Sequence, residues 1–178
     1  MHDAGAEREL SIDKTWDGQA ARGDEIARVT LRRRGGGVEI LVDAPFHDDP
    51  PPPAAPGPTD RLWEFEVVEV FIAGANAMPP RYTEIELSPF GHHLVLRFVG
   101  VRNPVDRALQ LAFTAERHAG RWSGRAVVPA RYLPAQPWTA NAFAIHGPRG
   151  SRRFLAAHPL PGAAPDFHQP ERFPALPI

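Results

Sequence analysis

Residues 62–72, LWEFEVVEVFI, constrain the fold more than any other part of the chain. The run is the densest collection of β-formers in the sequence, and it reads as a strand that belongs in a core. Yet it carries Trp63 and three carboxylates, Glu64, Glu66 and Glu69. Alternation puts Val67, Glu69 and Phe71 on one face and Val68, Val70 and Ile72 on the other. Residues 82–87 repeat the pattern, with Tyr82, Glu84 and Glu86 on one face and Thr83, Ile85 and Leu87 opposite. If the two strands pair with polar faces aligned, Glu69, Glu84 and Glu86 meet in one acidic patch. Carboxylates so close repel one another unless an arginine, a metal ion or ligand hydroxyls compensate. Arg97 and Arg102 are the nearest arginines in sequence.

The rest of the chain supplies partners of the same kind. Twenty-one prolines and fifteen glycines break the sequence into short segments and leave no room for a convincing amphipathic helix. Residues 26–31 and 38–42 flank RRRGGG and read as a hairpin. Residues 67–72, 82–87 and 93–99 form a three-stranded meander. Residues 109–117 and 121–128 form a further hairpin, and 143–146 and 154–157 two late strands. Residues 129–133 read as one helical turn. Residues 1–25 are a weakly patterned lead-in anchored by Trp16, and the proline-rich stretch 48–60 is a mobile surface loop. The expected architecture is an all-β antiparallel sandwich, of jelly-roll or immunoglobulin-like topology, with at most one or two short helical turns. Residues 1–178 read as one domain without an internal repeat.

Composition excludes several functions. A net charge of −1 gives no bulk attraction to nucleic acid or to an anionic membrane. The absence of cysteine removes disulfides and thiolate chemistry. No stretch approaches a membrane span, and MHDAGAERELS lacks the basic and apolar regions of a secretory signal, so a cytoplasmic location is expected. No glycine loop precedes a helix as phosphate binding requires, and no G-x-S-x-G elbow occurs.

Two readings of the acidic patch stay open. The ordinary one is a solvated sheet face with arginine partners. The other is a polar binding surface on a concave sheet, where Trp63 covers the apolar face of a sugar ring and the acids accept from hydroxyls. Glu84 and Glu86, projecting in parallel two residues apart, are weak candidates for catalytic acid and base on a sugar-like substrate. His92 and His93 face opposite ways on a strand, and His146 and His168 read as hydrogen-bonding residues at strand ends. Calcium through Asp43, Asp48 and Asp49 lacks a regular ligand spacing. An acidic face that meets a basic protein partner is a further alternative.

Four blocks, LWEFEVVEVFI, YTEIELSPFGHHLVL, NAFAIHGPRGSRRF and PDFHQPERF, resemble a poorly characterised family of small bacterial and animal proteins. That family's sandwich is similar to family 9 carbohydrate-binding modules, within the DOMON-like group. The resemblance implies a β-sandwich. In family 9 modules that bind sugar, a tryptophan leads the V-E strand and a glutamate follows six residues on. Trp63 and Glu69 match, which implies a stacking platform and a hydroxyl acceptor, with Asn141 as a further polar contact. The second tryptophan of such modules is missing here, where RRFLAAHP offers Phe154 and His158. The expectation is a non-catalytic binding sandwich for a small, carbohydrate-like ligand that uses Trp63, Glu69, Glu84, Glu86, Arg102 and Asn141. No cofactor is expected; the DOMON-like resemblance implies, as its alternative, a haem or metal held by Met78 or a histidine.

Overall fold

The computed structural model describes residues 6–178. Twelve strands run in chain order among them: β1 (Glu7–Ile12), β2 (Lys14–Thr15), β3 (Ala27–Arg34), β4 (Gly37–Pro45), β5 (Val67–Gly74), β6 (Arg81–Leu87), β7 (His93–Val99), β8 (Pro104–Asp106), β9 (Ala112–His118), β10 (Arg121–Val128), β11 (Trp138–His146) and β12 (Arg153–Ala156). They form two antiparallel sheets. One has five strands in the order β1-β3-β4-β10-β9, and the other has seven in the order β2-β12-β11-β5-β6-β7-β8. The helical elements are single 3-10 turns, at Gly23–Glu25, Leu62–Glu64, Ala130–Tyr132 and Pro170–Arg172. The chain is an all-β sandwich.

Local chemistry explains most of the connections. Gly35 and Gly36 both have positive φ, 53° and 79°, and close the β3–β4 hairpin in the two-residue turn that matches strand twist. β5, β6 and β7 form the expected meander, with Val70 opposite Ile85 and Ile85 opposite Val95. Val68, Val70, Ile72, Ile85, Leu87 and Val95 point inward to meet Val29, Leu31, Ile40 and Val128 of the other sheet.

The two sheets differ in their outer faces. On the five-stranded sheet, exposed and buried residues alternate, as along β10, so its outer face is wet. Every residue of β5 up to Ala73, and every residue of β6 after Arg81, is buried. The outer face of the seven-stranded sheet therefore has its own apolar cluster, of Val67, Phe71, Leu94, Phe98, Phe143 and Ile145, roofed by Leu160, Phe167 and Phe173 of the C-terminal segment. Phe167 stacks on Phe143 at 3.9 Å. Burying each of these phenylalanines contributes about 2 kcal/mol, enough together to hold an irregular segment against a sheet.

The organising strand begins at Val67, as expected, and upstream of it Arg61 takes a left-handed conformation and Leu62–Glu64 forms a 3-10 turn. Three expectations need correction. The lead-in contains an edge strand, β1, whose pattern is weak because only Leu10 and Ile12 reach the core. β11 starts five residues earlier than residue 143, since its inward positions are the small Ala140, Ala142 and Ala144. The proline-rich stretch is tied to β7: Thr59 N–H donates to His93 O, and His93 N–H donates to Gly57 O. His92 Nε2 also lies 2.8 Å from Ala54 O.

Candidate ligand-binding site

The register of β5 and β6 builds the site. Glu69 lies opposite Glu86, and Phe71 opposite Glu84, so all four side chains share the outer face of the seven-stranded sheet. Tyr82, on the same face, stacks on Phe98 at 4.5 Å. A cavity of about 360 Å³ opens above this patch. Glu69 and Glu84, 2% and 4% exposed, form its floor. Phe71, Phe98, Phe154 and Phe167 line its sides, and Trp63 and Arg102 stand at its mouth. Trp63 is 38% exposed, an uncommon state for so large an apolar ring. Its backbone is held in place by Arg152, which donates to the carbonyls of Trp63 at 3.1 Å and Phe65 at 2.6 Å.

The C-terminal segment closes the opposite side. His168 packs edge-on against Phe71 and Phe98, and its Nδ1 lies 2.8 Å from Tyr82 Oη. Tyr82 Oη also accepts from the backbone N–H of Arg102. The other ring nitrogen of His168, Nε2, faces Glu84 Oε2 at 3.8 Å. Burial, with Arg102 nearby, lowers His168 to about 4 and keeps the ring neutral at pH 7. Arg102 itself is tied to Asp166 at 2.7 Å.

The acids are perturbed for one main reason. Burial pushes Glu84 up to about 7, against the opposing pull of Glu86 and Arg102. Glu69 and Glu86 are raised well above the ordinary carboxylate range, by burial first and then by the neighbouring glutamates. Neither oxygen of Glu86 meets a hydrogen-bond donor. Glu84 can share a proton with it only when one of the two is protonated. Arg97, the expected partner, pairs with Asp106 instead, because β8 carries that aspartate opposite it.

Of the six residues assigned to ligand binding from sequence, Trp63, Glu69, Glu84 and Arg102 line the cavity. Glu86 lies behind it, 0% exposed. Asn141 does not reach it: its amide is consumed by the backbone of His158 and Ala142, as donor to His158 O and acceptor from both N–H groups. His158 serves that contact, whereas Phe154 lines the cavity. The acids are buried, Glu69 and Glu84 at the floor of the cavity and Glu86 behind it, so they form neither a solvated sheet face nor an exposed acidic surface for a basic protein. Met78 is 90% exposed on the β5–β6 connection and does not line the cavity. His146 stacks on His47 at 3.5 Å. Asp43 pairs with Arg121 and Asp49 accepts from Gly147 N–H, so the three aspartates do not converge. Sequence reasoning missed His168, Phe167 and Asp166 as site residues; the D-F-H piece in an otherwise proline-rich tail was the available signal.

The fold and site together define a β-sandwich with a ligand-sized cavity on one outer sheet face. A crystal structure of a Bacteroides uniformis protein, provisionally described as carbohydrate-binding, matches the fold with a TM-score of 0.73 at 15% identity, over 94% of this chain and 84% of that one. A family 9 carbohydrate-binding module from Caldicellulosiruptor kristjanssonii, solved with cellotriose, aligns at a TM-score of only 0.46 and 9% identity, over 84% of this chain and 72% of that one, too distant to relate the two in detail. No family model matches the chain. The chain belongs to the UPF0462 family: it is 40% identical to the mouse UPF0462 protein C4orf33 homolog over 93% of its length and 88% of the relative's, and 38% identical to the human UPF0462 protein C4orf33 over 93% and 85%. A zebrafish homolog shares 35% over 91% and 85%. These relatives are vertebrate proteins, and the comparisons give no support to a DOMON-like assignment or to a bacterial one.

Proposed function

We propose that the protein binds a small saccharide or glycoside, without catalysis, in the cavity under Trp63. The observation that carries this reading is a half-exposed indole at the mouth of a cavity whose floor is two buried glutamates. Trp63 offers a flat apolar surface for the C–H face of a sugar ring, and Arg102 offers donors at the rim. A glutamate raised to about 7 exists near neutrality in both protonation states, so Glu84 donates to or accepts from a neutral hydroxyl. The fold shared with the Bacteroides uniformis protein agrees with this reading. The test is quenching of tryptophan fluorescence by a panel of mono- and disaccharides. Saturable quenching is expected, weakened about tenfold or more in Trp63→Ala; a flat response across the panel overturns the proposal.

One observation favours a second reading, an enzyme with Glu84 as acid or base. Glu84 is a buried pocket carboxyl with a raised pKa, and His168, hydrogen-bonded to Tyr82, lies 3.8 Å from it. Turnover of nitrophenyl glycosides or esters, lost in Glu84→Gln, would establish it in place of binding alone.

A further inference from the structure

Glu69, Glu84 and Glu86 present oxygens that all lie within 4.8 Å of one another. Two opposed calcium–oxygen bonds of about 2.3–2.6 Å span roughly the same distance, so one ion at the centre reaches all three residues. An acidic cluster alone is common, but this one has a second feature. Glu86 is 0% exposed, points into the group from behind the cavity, and has neither oxygen bonded to a donor. A buried carboxylate without a partner is costly, and positive charge or a proton must compensate it. Among the described residues, no arginine or lysine lies within ion-pair distance of the three: Arg97 is held by Asp106 and Arg102 by Asp166, while Arg152 bonds to backbone carbonyls.

We infer that the three glutamates form a binding site for a hard divalent cation, calcium foremost, entered from the cavity past Glu69 and Glu84 and closed by Glu86. The donor set is all oxygen, and three carboxylates supply up to six ligand atoms with water able to complete the shell. The paired backbones of β5 and β6 hold Glu69 and Glu86 in register, and His168, bonded to Tyr82, stands 3.8 Å from Glu84. The inference does not depend on the saccharide reading, because the ion alone is the probe.

The test is thermal melting of chelator-stripped protein at pH 7.5 in rising CaCl2, with calorimetric titration alongside. The melting temperature should rise by roughly 5–10 °C at a calcium concentration a hundred times Kd. The titration should report one ion per chain. Glu69→Gln and Glu86→Gln, each checked for a wild-type far-ultraviolet circular dichroism spectrum, should lose at least tenfold in affinity. Should one variant fail to fold, the other decides. No shift and no heat in the wild type up to about 10 mM calcium, above even weak extracellular sites, overturns the inference and leaves shared protons as the compensating charge. Wild-type affinity in a folded variant also overturns it, because the ion would then sit elsewhere.

Discussion

Glu25 and the Glu69–Glu84–Glu86 group are both buried, yet the fold compensates them in opposite ways. Glu25 receives two bonds from Arg153, at 2.7 and 2.8 Å, and two more from the side chain and backbone of Arg22. Burial alone would raise its pKa, but Arg153 and Arg22 hold it down to about 2. The glutamates on β5 and β6 have no such cation, and all three are raised. Both groups contribute to the same sheet region, since Arg153 lies on β12 and Glu69 on β5. The difference teaches how to separate a structural carboxylate from a candidate ligand seat. A buried acid with its own arginines is compensated within the fold; three buried acids without one, at a cavity, call for a proton or a bound cation.

The largest effect should come from breaking the compensated pair. Glu25→Ala removes four charge-assisted hydrogen bonds from Arg153 and Arg22 and should cost about 3 kcal/mol in urea unfolding. A loss under about 0.5 kcal/mol would erase the contrast. The same pair predicts an acid limb. The folded pKa of Glu25, about 2, lies below its ordinary 4.5, so the unfolded chain holds the proton more tightly. Its stabilisation is therefore complete above pH 4.5 and is lost as pH falls towards 2. Melting curves across that window should show a decline that is shallower in Glu25→Ala.

Glu66 tests the opposite sign. It accepts from the backbone N–H groups of His47 and Asp49, yet burial raises it to about 7. Here the folded state holds the proton more tightly, so this residue's contribution to stability falls as pH rises from 4.5 to 7, by roughly 2 kcal/mol. Glu66→Gln should flatten that slope; an unchanged slope would show that Glu66 ionises normally. Smaller still, Glu86→Met in calcium-free protein should be neutral or stabilising by about 1 kcal/mol, since it removes an unpartnered acid from an apolar site. A large loss would mean that Glu86 is already compensated, as Glu25 is.

Much of this was legible in the sequence, and the failures have physical causes. Period-two alternation gave the faces of β5 and β6 correctly, because a strand side chain has only two directions to choose from. It placed Glu69, Glu84 and Glu86 together. It could not tell that their face is covered, because the roof is Phe167 and Phe173, in an irregular segment eighty residues away without periodicity. Asn141 misled because strand alternation puts it on the site's face, while its amide is taken by the backbone of His158. Trp63 lines the cavity from a 3-10 turn ahead of β5, and nothing in the run LWEFEVV announces the left-handed conformation at Arg61 that starts that turn.

The central claim is that the cavity beneath Trp63 receives the ligand. The chain has four tryptophans, Trp16, Trp63, Trp122 and Trp138, and so four indole N–H signals in a ¹⁵N-correlated spectrum. Trp122 and Trp138 are buried in the core between the sheets, and Trp16 packs against the outer cluster beside Phe154 without lining the cavity. Titration with a saccharide that quenches fluorescence should move the Trp63 indole signal and leave those of Trp122 and Trp138 in place. Movement of the Trp16 signal with a stationary Trp63 would place the ligand elsewhere and contradict the account.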